Sequence, residues 1–362
     1  MKAIHSILVA VLNKDQAVAD LTLSQWDLLV RQARKSMLLA KLYYFIDRES
    51  DLAKIPESAL RLLQSSRVHS TKQHTDLLWE VKHLEIVAKQ LGYPLVLLKG
   101  SAYAISGLTA AKGRIFSDID LMVGKNNISQ TEKQLMINGW VSSNTDAYEE
   151  LYYRKWMHEI PPIRHLNRGS TLDLHHNILP VTAKNSPDAA LLLAQSRALP
   201  EYDFISVLSP PDMIIHSATH LFYDGELEHG LRDLVDLDAL IRSNQITEGF
   251  VENLLSRAIE LNLQRAVFYA LRYTHLILHT PISTTTLQNS QSAAPHQPLL
   301  KLMDFLFLRA LMPDHPSCND RWTASARWLL YIRSHWLRMP IYLLIPHLLR
   351  KSFLRISGKA KH

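Results

Sequence analysis

Residues 117–123 read SDIDLMV, and residues 95–101, upstream of them, read LVLLKGS. In the first stretch a single isoleucine separates Asp118 from Asp120. Residues i and i+2 of an extended strand point to the same face, so the two carboxylates project together from a short apolar strand. Two like charges this close repel each other unless a cation lies between them. Mg²⁺ prefers carboxylates together with substrate phosphates, so the pair predicts a metal-dependent phosphoryl- or nucleotidyl-transfer centre.

The residues before the pair decide between this interpretation and a solvated strand end or turn, where a lone DxD also occurs. An apolar run leads into Gly100-Ser101, which opens a helical stretch. The free backbone N–H groups of a helix N-terminus suit a phosphate, and Ser101 adds a small hydroxyl. Lys99 and Arg114 stand on either side and can neutralise phosphate charge. This set favours a phosphate site next to the two acids.

A later strand-like segment, residues 170–175, adds a third acid. Asp173 lies between two leucines in the sequence STLDLH, and an unpaired buried carboxylate is costly. A shared metal explains its presence, so Asp173 is predicted as a third ligand. His175 falls on the same face of this strand. It either orients or deprotonates an acceptor, or it is a hydrogen-bonded structural histidine.

Four motifs, in this order, resemble the uncharacterised nucleotidyltransferase family of the polymerase-β-like nucleotidyltransferase superfamily. They are LKGSAYA (98–104), RIFSDIDLMV (114–123), TLDLHHNI (171–178) and HSATHLFYDGELEHGLRDLVDLDALI (216–241). The resemblance covers residues 80–245 and is specific for the fold rather than for the substrate. The interval between Gly-Ser and the Asp pair is longer than in compact members such as the aminoglycoside nucleotidyltransferases.

The resemblance implies two bound metal ions, Mg²⁺ or Mn²⁺, and a nucleoside triphosphate, expected to be ATP. Asp118 and Asp120 would ligate both ions. Asp173 would hold the acceptor-side ion and help to deprotonate the attacking hydroxyl. The reaction would transfer a nucleoside monophosphate to an acceptor and release pyrophosphate.

The same resemblance assigns the residues around the metals. Gly100 and Ser101 would hold the β- and γ-phosphates, and Lys99 or Arg114 would offset their charge. A histidine followed by an Arg-Asp pair recurs in the family. His220 and Asp233 match that motif and are second-tier candidates, as is His175.

The expected fold is α+β: a small mixed sheet of the polymerase-β-like type, flanked by an N-terminal helical segment and a C-terminal helical domain. Apolar residues recur at helical spacing through residues 1–90. Residues 91–182 alternate between helical and strand patterns and form the expected catalytic domain. Residues 183–362 form the expected helical C-terminal domain with a basic amphipathic tail.

Three finer predictions concern single segments. Residues 148–156 and 157–164 are rich in aromatic and β-favouring side chains, which indicates hairpin-like strands. From about Asn185 the pattern becomes helical again. The Ser-, Thr-, Gln- and Pro-rich residues 280–298 are expected to form a loop.

Composition narrows the class of protein. Hydrophobic residues make up 47% of the 362 and charged residues 20%, as in an ordinary folded chain. Cys318 is the one cysteine, which excludes an internal disulfide and fits a reducing cytoplasm. HExxH, paired CxxC and P-loop motifs are absent from the sequence, which argues against a common zinc enzyme or a Walker-type ATPase.

The positive charge is concentrated at residues 321–362. This segment has nine Lys or Arg residues and no Asp or Glu, whereas the whole chain has a net charge of +6. Aromatic and leucine side chains alternate with the basic ones, which suits an amphipathic helix on an anionic membrane surface, at the inner face of the membrane. A packing helix with a solvated basic face explains the pattern equally well. Nucleic acid is a further conceivable partner.

Two functions from different classes therefore remain open. The favoured one is an Mg²⁺-dependent nucleotidyltransferase acting on a small molecule, sugar, peptide or protein. The alternative is a catalytically silent nucleotide- or partner-binding module, membrane-associated in envelope polysaccharide or natural-product assembly. The presence of all three acids favours the enzyme.

Overall fold

The computed structural model is 63% helical and contains a seven-stranded mixed sheet surrounded by helices. It describes residues 6–48, 52–142, 147–223, 225, 227–245, 247–340 and 342. The α+β class expected from the sequence is confirmed.

In the ranges that the structure describes, four α-helices precede the first strand: α1 (Ile7–Leu12), α2 (Leu23–Lys35), α3 (Leu39–Arg48) and α4 (Glu57–Leu91). Thr22 begins α2 with a capping box, in which its hydroxyl accepts from the Gln25 amide and the Gln25 side chain accepts from the Thr22 amide. Helix α4 is 35 residues long and ends where Gly92 adopts a left-handed conformation with φ +78°. Its apolar stripe, buried at helical spacing, consists of Leu77, Val81, Leu84 and Ala88.

The sheet has the spatial order β3-β4-β5-β2-β1-β7-β6. Its strands are β1 (Leu95–Leu97), β2 (Ile119–Met122), β3 (Trp140–Ser142), β4 (Ile163–His165), β5 (Thr171–His175), β6 (Arg197–Ala198) and β7 (Ile205–Val207). Strand β2 runs parallel to β5 and antiparallel to β1, and β1 runs parallel to β7. Strands β1 and β2 are fully buried, and the side chains of the central strands are mostly apolar.

Four helices lie between the strands: α5 (Lys99–Ile105), α6 (Ile128–Ile137), α7 (Ala147–Trp156) and α8 (Ala189–Ala194). Helix α7 corrects the strand predicted for residues 148–156. Glu150 and Arg154 form an ion pair one turn apart, and Arg154 also binds Glu132 on α6. These charge pairs stabilise a helix that the aromatic content alone does not suggest.

Seven helices complete the described chain: α9 (Pro210–Tyr223), α10 (Gly230–Asn244), α11 (Phe250–Glu260), α12 (Gln264–Leu278), α13 (Thr284–Ser290), α14 (Gln297–Ala310) and α15 (Thr323–Arg338). Helix α13 corrects part of the loop expected for residues 280–298, since Ser283 caps it by accepting from the Thr286 amide. Strands β6 and β7 correct the purely helical prediction after Asn185, because β7 pairs with β1.

Much of the predicted basic tail, residue 341 and residues 343–362, lies outside the described residues. Within the described ranges, no helix combines the length and apolarity needed to cross a bilayer.

Candidate functional site

The three predicted acids meet at neighbouring strands of the sheet. Asp120 on β2 and Asp173 on β5 are direct partners in the parallel register, and Asp118 immediately precedes β2. Asp120 is buried, whereas Asp118 and Asp173 are partly exposed. The structure therefore brings together the carboxylates that the sequence separates by more than fifty residues.

Asp120 is bound by two cationic side chains at one oxygen. Lys99 Nζ and His175 Nε2 each lie 3.0 Å from Asp120 Oδ1. Burial disfavours the ionised carboxyl, but Lys99 and His175 outweigh it and hold the pKa of Asp120 well below its usual range. Asp120 is therefore an anion whose second oxygen, Oδ2, is not used by either partner.

Asp173 has no comparable partner. Its Oδ1 atom is buried and accepts no hydrogen bond in the described part of the chain. Burial, with the nearby carboxylates of Asp120 and Glu159, raises the pKa of Asp173 to about 7. An orphaned buried carboxylate oxygen beside a second acid is the environment that a divalent cation neutralises, so the donor set fits Mg²⁺ or Mn²⁺.

The Lys99–Ser101 segment lies at the start of α5, next to these acids. Lys99 has a left-handed backbone with φ +46°, uncommon for a residue with a side chain. The Ser101 hydroxyl is buried and donates to the Leu98 carbonyl at 2.7 Å, so it faces its own backbone. A Cβ at Gly100 would lie 2.9 Å from the Arg114 guanidinium, so glycine allows that side chain to lie against the helix start.

Arg114 lies in a buried charge cluster. Its Nε is 2.8 Å from Asp236 Oδ2, and Lys41 Nζ is 3.0 Å from Asp236 Oδ1, both ion-pair distances without hydrogen-bond alignment. Burial lowers the pKa of Arg114, but Asp236 and Asp233 outweigh it, so the pKa is raised. Two cations share Asp236, so the cluster remains positive enough to attract an anion.

A small cavity of about 140 Å³ lies between the acids and the helices. Its walls include the four predicted phosphate-binding residues, two of the three predicted metal ligands and the second-tier residues of α9 and α10: Lys99, Gly100, Ser101, Arg114, Asp118, Asp120, His220 and Asp233. His220 Nδ1 lies 4.0 Å from Asp233 Oδ2, and Arg232 Nε donates to Asp233 Oδ1 at 2.9 Å. Burial opposes ionisation of Asp233, but Arg232 and His220 lower its pKa.

A second cavity of about 350 Å³ adjoins the first. Asp173 lines only this larger cavity, Gly100 and Arg114 line only the smaller one, and Lys99, Asp118 and His220 line both. Asp118 thus stands at the junction of the two spaces.

One acidic side chain beside this site, Glu159, was not predicted. Glu159 lies opposite His175 in an isolated β-bridge, and its Oε2 is 3.3 Å from His175 Nδ1 and 4.0 Å from His158 Nε2. The three residues are spaced closely enough to hold a metal ion. Burial, then the neighbouring His175 and Lys99, hold the pKa of His158 well below its usual range, so its imidazole is neutral. The adjacent His158-Glu159 pair was the available sequence signal.

His175 is placed by this group as well as by Asp120. It is buried, and its Nδ1 lacks a hydrogen-bond partner in the described residues. Burial lowers the pKa of His175, but Asp120 and Glu159 outweigh it, so the pKa is raised. Arg164, on β4, lies outside this group: its side chain is exposed, donates to the Gly169 carbonyl and lines neither cavity.

A mixed sheet that presents three carboxylates beside a Gly-Ser helix start is consistent with the nucleotidyltransferase type of fold. The model of the uncharacterised nucleotidyltransferase family matches residues 22–279, and the chain belongs to this family. Membership supports the general transfer of nucleotidyl groups as its activity. A comparison with curated proteins found no match.

Proposed function

We propose that this protein transfers a nucleoside monophosphate from a nucleoside triphosphate, with ATP as the donor, to an acceptor hydroxyl or phosphate, releasing pyrophosphate. The observation that supports this most directly is the orphaned Oδ1 of Asp173 beside Asp120 and Asp118. Three acids at one point of a sheet are costly unless they bind a cation.

Asp118, Asp120 and Asp173 would hold Mg²⁺ or Mn²⁺. When bound, such ions neutralise the developing charge and align the attacking and leaving oxygens. Lys99 already balances the charge of Asp120. Burial lowers the pKa of Lys99, but Asp120, together with Glu159 and Asp118, outweighs burial, so the pKa is raised. Lys99 therefore remains a cation at the junction of the two cavities.

The two cavities suit different parts of the reaction. The smaller one has Arg114, Lys99 and the first amides of α5, which are donors that a triphosphate binds. The larger one contains Asp173 and Glu159, so it suits the acceptor. Asp173 lines this larger cavity and is the carboxylate proposed to accept the proton of the attacking hydroxyl.

Metal-dependent nucleotide binding tests the proposal without knowledge of the acceptor. Calorimetry with Mg²⁺ and a nonhydrolysable ATP analogue is expected to give binding that Asp118→Ala weakens about 100-fold or more. Asp27→Ala, at an exposed acid of α2, is the matched control and is expected to bind normally.

Turnover is then measured as pyrophosphate release and label transfer with a panel of nucleotides and acceptors. Transfer that persists unchanged in Asp118→Ala contradicts the proposal. Nucleotide binding that survives Asp173→Ala, together with no pyrophosphate release by the original chain, instead supports the silent binding module.

We also propose a cytoplasmic protein with peripheral contact to an anionic membrane surface. On α15, Trp328, Ile332 and Trp336 recur every fourth residue and are 62%, 43% and 63% exposed. Residues 321–342 contain no acid, and tryptophan with arginine is the combination that anionic lipid interfaces favour.

Vesicle sedimentation tests this contact. Vesicles with phosphatidylglycerol are expected to retain the full chain more strongly than neutral vesicles, and Trp328→Ala with Trp336→Ala is expected to reduce retention. Trp79→Ala, at a 61% exposed tryptophan of α4, is the control. Equal losses in the control and the double variant contradict the assignment to α15.

A further inference from the structure

A cavity of about 550 Å³ lies among the C-terminal helices, apart from the three acids. Its walls come from α12, α14 and α15, with Tyr223 at the end of α9. This volume falls within the range of about 300–1,000 Å³ that is usual for small-molecule sites. Tyr223 also lines the larger cavity of the acidic site, so the two spaces share a wall.

Most of the lining is apolar. Leucine and methionine side chains of α14 and α15 form one continuous side: Leu299, Leu302, Met303, Leu306, Leu329 and Leu337. Leu302 and Leu329 remain 45% and 42% exposed. Covering this surface with a hydrocarbon or aromatic body removes it from water and is favourable.

The charged side chains of the lining are cationic, and its other polar residues are neutral. Arg265 and Arg333 both face the cavity, and the lining formed by the described residues contains no Asp or Glu. Arg265 Nε is buried and has no hydrogen-bond partner among these residues. Arg333 donates to the Phe222 carbonyl at 2.7 Å and lies over the ring of Tyr269 at 5.6 Å from its centroid. Burial lowers the pKa of Arg333 despite the nearby tyrosines.

Two guanidinium groups without a carboxylate are poorly compensated in an apolar wall. An anion placed between them restores the balance and supplies the missing acceptor for Arg265. We propose that this cavity binds an amphiphilic anion, with a carboxylate or phosphate head at Arg265 and Arg333 and a hydrocarbon body against the leucines.

The chain's own final segment is a poor candidate for the same space. Residues 343–362 lie outside the described residues, and their sequence has five Lys or Arg residues and no acid. Like charges disfavour such a segment beside two arginines.

Fluorescence displacement on the full chain, without nucleotide, tests the proposal. Dansylaminoundecanoic acid is the probe, and dodecanoate, dodecyl phosphate and dodecanol compete below their aggregation thresholds. The two anions are expected to displace the probe about tenfold or more effectively than dodecanol. The stronger of them identifies the head group.

Variants locate the site. Arg265→Gln is expected to weaken probe binding about tenfold, while Arg321→Gln, the same change at an exposed arginine, leaves it unaltered. Asp118→Ala is expected to retain probe binding, which separates this site from the transfer reaction. If thermal melting shows that Arg265→Gln is not folded, Leu302→Glu replaces it, since a carboxylate at this position lies against the hydrocarbon body of the ligand and weakens its binding.

Displacement by dodecanol that equals displacement by the anions overturns the proposal. Unchanged probe affinity in folded Arg265→Gln, or in Leu302→Glu, does the same.

Discussion

At the scale of single residues, Asp120 and Asp173 are chemically unequal although they face each other across two strands. Lys99 and His175 neutralise Asp120, so its carboxylate is retained in the fold at low pH. Asp173 has a buried oxygen without a partner and a pKa of about 7. The fold therefore keeps one permanent anion and one acid that ionises near neutrality, which suits a cation site with an adjacent proton acceptor.

The pH dependence of the free energy of unfolding, measured without divalent cations, is expected to show the titration of Asp173. Its unfolded pKa is about 3.9, and its folded pKa is raised. The unfolded chain loses this proton first, so the Asp173 contribution falls as pH rises from about 4 to about 7 and stays low above that. Asp173→Asn removes this penalty and is expected to be more stable than the original chain at pH 8 in a chelator, on the order of 2–4 kcal/mol.

Denaturant unfolding at pH 5 and pH 8 measures the difference between the two chains. Mn²⁺ is expected to raise the melting temperature of the original chain at pH 8 and to raise that of Asp173→Asn less, because one of the three proposed ligands is lost. A difference between the chains that does not change with pH contradicts the titration of Asp173.

At the scale of elements, one glycine determines how the N-terminal helices dock on the sheet. Gly113 has φ +71°, and a Cβ there would lie 2.6 Å from the Lys41 backbone nitrogen at the start of α3. Gly107 has a similar φ of +64°, but nothing lies within 4 Å of its Cβ position. Comparing substitutions at the two glycines therefore separates the cost of backbone strain from the cost of close packing.

Gly107→Ala is expected to lower the free energy of unfolding by about 1 kcal/mol, the cost of a left-handed residue with a side chain. Gly113→Ala is expected to lower it by about 3 kcal/mol or more, because the Cβ also meets backbone that cannot move aside. Chemical denaturation of both variants checks this order. Equal losses would show that α3 yields to the added carbon.

Several elements were predicted from local sequence patterns. Alternating apolar residues around Asp120 and Asp173 identified β2 and β5. The strand predicted for residues 148–156 was wrong. A helix forms there instead, in which Arg154 pairs with Glu132, 22 residues away in the sequence. Strand β7 was missed because only its long-range pairing with β1 distinguishes it.

The candidate site, too, could be predicted from the sequence only where residue spacing on a single strand decides the geometry. Residue spacing on a strand is enough to align Asp118 with Asp120, and leucines on both sides of Asp173 indicate its burial. Glu159 was not foreseeable from spacing. It reaches His175 through an isolated bridge between segments without a shared motif.

At the scale of the whole molecule, one buried carboxylate joins three parts of the chain. Asp236 on α10 contacts Lys41 of the N-terminal helices and Arg114 of the segment before β2. All three side chains are buried, and burial lowers the pKa of Lys41 although Asp236 raises it. Asp236 is therefore one charged link between the N-terminal helices, the acidic sheet and the C-terminal helices.

Asp236→Asn is expected to destabilise the whole chain by about 3–5 kcal/mol, because it leaves two buried cations without their anion. Asp27→Asn is the matched control, since Asp27 pairs with Arg31 at the surface and its loss is expected to be negligible. Adding Lys41→Met to Asp236→Asn removes one uncompensated charge and is expected to recover part of the loss. Denaturant midpoints of the four chains measure these differences. Stability of Asp236→Asn equal to that of Asp27→Asn would show that the ion pairs of Asp236 do not hold the three parts together.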